Sequence, residues 1–242
     1  MIEVVDLVLI GITAAFFALL ASVTGSGGTT VLLPVLVLFF GIRDGVAIIT
    51  IANLAANLSR VVIHREEVVL PVVGWFALGA VPASLLGAYL FVIAPPDLLI
   101  RLLGVVLIGV ALWRRLRPSP PTRQAVVWFL PIGTTFGFLE GIIGSTGPLV
   151  APFFLAFGLM KGAYIGTDAL ATVAMQTTKL SVFGGAELLG ARELAIGLAL
   201  VPCMIAGTLL GRKVLDRVSE RAFSILVEIM IVAAGLNFLV RG

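Results

Sequence analysis

Long apolar runs recur along the chain, at 4–24, 45–63, 69–93, 97–113, 125–143, 190–211 and 220–240. Most of them reach the roughly 17–25 residues that a helix needs to cross the hydrocarbon of a bilayer. A helix satisfies its backbone hydrogen bonds internally, which is what that medium demands. Composition points the same way: 60% of the 242 residues are hydrophobic and 12% charged, against roughly 45–50% and about 25% in a soluble domain. A water-soluble fold of this size has no means of hiding so much apolar surface. The expected class is therefore all-α, a polytopic protein of a cell inner membrane or plasma membrane.

The net charge of +3 does not describe a nucleic-acid footprint, because the basic residues sit in short loops between apolar runs and so report topology. With the linker Arg114, Arg115, Arg117 and Arg123 placed in the cytoplasm, ten of the 16 Lys and Arg residues fall inside. The other six of these are Arg65, Lys161, Arg212, Lys213, Arg217 and Arg221. Four, Arg43, Arg101, Arg192 and Arg241, fall outside, while Arg60 and Lys179 lie within apolar segments. This split is the one expected for ten segments with both termini outside. The first 24 residues lack a basic leader region and carry Glu3 and Asp6, so they read as a retained helix. A single cysteine, Cys203, excludes an intrachain disulfide and any multi-cysteine metal site. No cofactor is expected.

Two apolar segments, 29–40 and 148–158, are short. A dozen residues rise only about 18 Å as a helix, against a core of roughly 30 Å. Each follows a glycine-rich break, Gly25-Ser26-Gly27-Gly28 and Gly144-Ser145-Thr146-Gly147. The offset of about 119 to 120 between the breaks also pairs Asn53 with Thr172, Asn57 with Gln176, Arg60 with Lys179, Pro82 with Pro202 and Gly87 with Gly207. The chain is thus expected to hold a first membrane repeat at 1–113, a basic linker at 114–124 and a second repeat at 125–242. Five segments per copy, an odd number, make the repeats inverted, an arrangement used by secondary transporters.

Thr50, Asn53, Asn57, Arg60 and His64 follow one another at steps of three or four and so line one helix face. Asp168, Thr172, Gln176 and Lys179 repeat the pattern. A cation inside a membrane helix costs a few kcal/mol or more unless it is paired, hydrated or snorkelling. Arg60 and Lys179 are therefore candidate anion-binding cations, with Asn53, Asn57, Thr172 and Gln176 as uncharged hydrogen-bonding partners. Snorkelling of the two cations and interhelical hydrogen bonding by the amides remain the alternatives. The breaks are candidates for the same ligand: Gly25, Ser26, Gly27 and Gly28, with Gly144, Ser145, Thr146 and Gly147, place backbone amides at a helix start, where the dipole favours an anion. Glu140 and Asp168 are candidate proton-coupling acids, with static pairing to Lys179 or Lys161, or capping by Asp168, as the other readings. His64, beside Arg65, Glu66 and Glu67, reads as a loop histidine. Gly79, Ala83 and Gly87, like Cys203, Gly207 and Gly211, read as close helix packing.

The breaks, each followed by a proline (Pro34 and Pro152), the duplicated apolar halves and the basic linker resemble the TauE/SafE family of sulfite and organosulfonate exporters. The resemblance implies export of sulfite or of small sulfonated or carboxylated anions, with protons as a coupling ion. Thr146 stands where the first copy has Gly27, so the second break is expected to be less open to backbone contacts. The expected partners are a small anion, the lipid bilayer and protons, not nucleic acid. The oligomeric state is left open, with a homodimer among the options. No His/Glu metal cluster or aspartate pair supports an intramembrane enzyme. An anion channel would share every feature named, and the short loops disfavour a scaffold.

Overall fold

A computed structural model describes residues 28–116, 125–144, 146–215, 232 and 235–240. Among these the regular structure is helical. Seven helices can be followed: α1 (Gly28–Ile63), α2 (Leu70–Ile93), α3 (Pro96–Leu116), α4 (Phe129–Ile143), α5 (Gly147–Ala156), α6 (Lys161–Gly185) and α7 (Ala191–Leu215). A short 3-10 turn, Val126–Trp128, leads into α4. Three stretches, Leu32–Ile63, Leu70–Ile93 and Val126–Ile143, are long and apolar enough to cross a membrane. The apolar segment at 4–24, the linker residues 117–124 and most of 220–240 lie outside the described residues.

The short segment 29–40 and the span that follows it, numbered together as α1, are two helical stretches joined at a kink on a single residue. Gly41 has φ 80 and ψ 171, a conformation that only glycine adopts without strain. The helix resumes at once rather than after a loop. In the second copy the corresponding short helix α5 has 10 residues, and Gly158, at φ 101, turns the chain toward α6. Rising about 15 Å, α5 cannot cross the hydrocarbon alone.

The closest helix contact, α2 on α4, is built from glycine. An added Cβ at Gly79, Gly87 or Gly133 would run into the carbonyl oxygens of Leu130, Phe138 and Phe76 respectively. At Gly137 it would lie 2.5 Å from the Ala80 oxygen, and at Gly141 2.6 Å from that of Ser84. In lipid there is little hydrophobic drive between helices, so backbones that approach this closely gain packing and Cα–H to oxygen contacts instead. Gly133, Gly137 and Gly141 thus lie against the backbone of Phe76, Ala80 and Ser84, while Gly79 and Gly87 lie against Leu130 and Phe138, and Gly87 also meets Gly141. The side chains of the second small-residue set, Cys203, Gly207 and Gly211, lie outside the described ones.

Around this seam α1 packs on α6 and α7, and α2 packs on α6. A cluster of rings holds α5: Phe154 lies 5.6 Å from Phe76 and 5.1 Å from Phe129, and Phe136 lies 5.5 Å from Phe153. These separations are those at which ring pairs attract. Leu38, Phe39, Leu78, Leu85 and Leu86 are exposed, as expected of side chains whose solvent is lipid.

Polar groups collect at two ends of the helices. At one, Arg65, Glu66 and Glu67 form a turn that packs on the start of α6: the Val69 amide donates to the Thr167 hydroxyl at 3.0 Å, and Gly162 lies against Glu67. His64 Nδ1 lies 3.2 Å from Glu67 Oε1 in that turn, so it is a loop histidine as expected. At the other end Arg43 donates to the carbonyls of Val92 (3.1 Å) and Ala94 (3.3 Å), completing the C-terminus of α2. Arg192 approaches Asp44 at 3.9 Å there.

Candidate functional site

Two helices carry the polar stripes, the second part of α1 and α6, and they pack on each other. Asn57 Nδ2 donates to Gln176 Oε1 at 3.3 Å, and Arg60 Nη1 donates to Asn57 Oδ1 at 3.3 Å. Asn57 and Gln176 are buried, at 7% and 2% exposure. They are the pair that the repeat offset makes equivalent, 119 residues apart. The next equivalent pair, buried Asn53 and half-buried Thr172, makes no side-chain hydrogen bond among the described residues. Thr50 returns its hydroxyl to its own helix, at 2.6 Å from the Val46 carbonyl.

Lys179 does not join Arg60. Its side chain is fully buried, and Nζ donates to the backbone carbonyl of Glu140 at 3.0 Å. The ammonium lies 5.4 Å from the centroid of the Phe183 ring and 5.8 Å from that of Phe91. It therefore rests at the C-terminal, negative end of α4, between ring faces that attract a cation. Snorkelling does not describe a side chain in this position.

The second break is closed by its own side chains. Gly144 ends α4 in the left-handed region at φ 88, with its amide on the Glu140 carbonyl. Glu140, 3% exposed, reaches across the break, and its Oε2 accepts from the Thr146 amide at 2.8 Å and from the Thr146 hydroxyl at 3.0 Å. A carboxylate thus occupies the positive end of α5, the place where an anionic ligand was expected. The Thr146 amide is therefore already taken by this carboxylate. Glu140 meets Lys179 through its carbonyl, not through its carboxylate. Gly147 opens α5. Ser145 and the three residues Gly25, Ser26 and Gly27 lie outside the described residues, and Gly28 opens α1.

Asp168 is the eighth residue of α6 and not a cap. It is half-buried and feels the charges of both Arg60 and Glu140. The hydrogen bonds thus form two separate sets, Arg60–Asn57–Gln176 between α1 and α6 and Thr146–Glu140–Lys179 at the second break. Among the described residues no group of three or more His, Cys, Asp or Glu side chains could hold a metal ion. Three contributors escaped the sequence reading. Phe183, one turn beyond Lys179, was legible as an i,i+4 neighbour. Phe91 and the clasp on Thr146 depend on how helices meet and left no local signal.

Comparison with known proteins agrees with this architecture. The family described as "Sulfite exporter TauE/SafE" matches residues 9–238. A protein of Bacillus subtilis (strain 168) named "Probable membrane transporter protein YjnA" is 26% identical over 263 residues, covering 97% of this chain and 99% of that protein. No solved structure matches the chain. With the family match spanning nearly its whole length and apolar helices long enough to cross a bilayer, this chain is a multi-pass membrane protein that belongs to the TauE/SafE sulfite exporter family of membrane transporters.

Proposed function

We propose that this protein is a secondary transporter that carries a small anion across the cell membrane by alternating access. Sulfite, an organosulfonate or a related oxyanion or carboxylate is the substrate class. Residues 1–113 and 125–242 are two inverted copies joined by a cytoplasmic linker at 114–124, with both termini outside. The observation that carries this reading is the Asn57–Gln176 hydrogen bond. An axis relating two copies brings equivalent residues together where it passes between them. Helix contacts exchange in the same way, since α1 packs on α7 as α6 packs on α2. Arg65 and Lys161 lie at one end and Arg43 and Arg192 at the other, which supports the alternation of segments, and the orientation itself rests on the basic linker.

The anion binds among Asn53, Asn57, Thr172 and Gln176, with Arg60 as its direct countercharge and Lys179 adding positive potential from behind Gly144. Proton coupling runs through Glu140. Its carboxylate holds the Thr146 amide and hydroxyl, donors of the kind a sulfite or sulfonate oxygen accepts from. A proton on Glu140 weakens that hold and frees the start of α5, so proton and anion favour each other's binding. Asp168 is the second acid in the same field. Both copies rock about this centre to expose it to either side in turn.

Uptake of labelled sulfite into proteoliposomes tests the site. Arg60→Ala and Gln176→Ala are each expected to lower uptake tenfold or more while the purified variants stay folded, a loss of about 1.4 kcal/mol or more in transport-competent binding. Wild-type uptake in both variants would remove the proposed site.

A further inference from the structure

An interrupted membrane helix ends in carbonyls that its own backbone does not satisfy, and transporters commonly fill such carbonyl ends with a coupling cation. The end of α4 is a variant of that pattern: Gly144 is in the left-handed region, and the Glu140 carbonyl, which accepts from the Gly144 amide at 2.9 Å, offers its second lone pair. What fills it is covalent. The Lys179 ammonium is fully buried, 3.0 Å from that oxygen, and an added Cβ on Gly144 would come within 3.0 Å of Nζ. The faces of Phe91 and Phe183 close the other sides at 5.8 and 5.4 Å. From the opposite direction the Glu140 carboxylate turns away to Thr146, so the ammonium's bonding partner is the helix end itself.

We propose that Lys179 is a built-in cation: it stands at a monovalent-cation site formed by the carbonyl end of α4 and two ring faces, and removing its amine opens that site to a free cation. The chemistry specifies which one. One carbonyl at N–H···O distance and two ring faces suit an ammonium, a weakly hydrated cation that gains from cation–π contact. They suit sodium poorly, because sodium wants several oxygens at short distance. Lys179 is a positioning residue in this account. It ties the break at Gly144 to α6, and an added Cβ on Gly144 would also come 3.3 Å from Val46 of α1, so three elements lie close to the one charge.

Chemical rescue of Lys179→Ala tests this, read as apparent Tm of purified protein in detergent, with no substrate present. Ethylammonium replaces most of the deleted side chain, charge included. It is expected to raise the Tm of Lys179→Ala saturably, by roughly 5 °C or more, and to leave wild type unmoved. Ethanol, of similar size but neutral, tetramethylammonium, which is too large, and sodium are expected to do little. Lys179→Met fills the site without charge and is expected to show no ethylammonium response. Equal rescue by ethanol would make Lys179 a space-filling residue and overturn the proposal, as would an ethylammonium response shared equally by wild type. Should Lys179→Ala not fold, Lys179→Gly and Lys179→Ser are prepared with and without ethylammonium throughout purification. Equal yields of folded protein under both conditions would also overturn it. Because the readout needs no transport, a failure here leaves the proposed substrate site standing, and the reverse holds too.

Discussion

Glu140 and Lys179 divide the second break between them. The acid takes the start of α5 and the amine takes the end of α4. Each is a buried charge set against the helix dipole of opposite sign, which offsets part of a desolvation cost of several kcal/mol per ion. Glu140→Gln keeps an oxygen that can accept from Thr146 but abolishes the proton site. Its expected phenotype is a folded protein whose sulfite uptake no longer responds to an imposed pH gradient. Uptake that still rises with the gradient would move coupling to Asp168 or elsewhere. Thr146→Val removes the hydroxyl bond to Glu140 and is expected to cost about 1 kcal/mol of stability, measured as a small fall in Tm. The candidate residues at this scale were legible because polar side chains on an apolar helix are conspicuous. Their pairing was less so. The repeat marked Asn57 and Gln176 as equivalent but not as touching, and Lys179 with the Glu140 carbonyl left no sign at all, since a backbone acceptor has no sequence mark.

Among the elements, the α2–α4 seam is where sequence and packing agree most closely. Glycines four apart at 133, 137 and 141 lie against the backbone of Phe76, Ala80 and Ser84, and Gly79 and Gly87 against that of Leu130 and Phe138. Only one of the two series was singled out from the sequence, although the second is equally periodic. Gly137→Val would force a side chain against the Ala80 backbone and is expected to destabilise by at least the 1–3 kcal/mol typical of overpacking. Gly109→Ala in α3 meets nothing within 4 Å and is expected to be neutral or to stabilise by up to about 1 kcal/mol. The pair is checked by thermal unfolding in one detergent. A Gly137→Val chain as stable as Gly109→Ala would contradict the seam. The break inside α1 was harder to read. The two segments are joined at a kink on a single non-helical residue, Gly41, whose positive φ lets the chain change direction without a loop.

The whole molecule has two polar ends and a polar middle. Cysteines placed at Glu66 and Lys161, in a Cys203→Ser background, are expected to react with a membrane-impermeant thiol reagent from the same side, and one at Arg192 from the opposite side. Reaction of Glu66→Cys and Lys161→Cys from different sides would contradict the arrangement of α1 and α6. The all-helical class was legible from run length alone, because the bilayer fixes how long a helix must be. The site was legible only in outline, since charge and periodicity say which face is polar and not which groups meet. The central claim is that an anion exchanges between two faces of a site at the Asn57–Gln176 contact. Counterflow measures it most directly: proteoliposomes loaded with unlabelled sulfite are diluted into a trace of labelled sulfite, with no ion gradient. The account predicts a transient accumulation of label above equilibrium in wild type and none in Arg60→Ala; label that only equilibrates, with no overshoot, would mark a channel and contradict it.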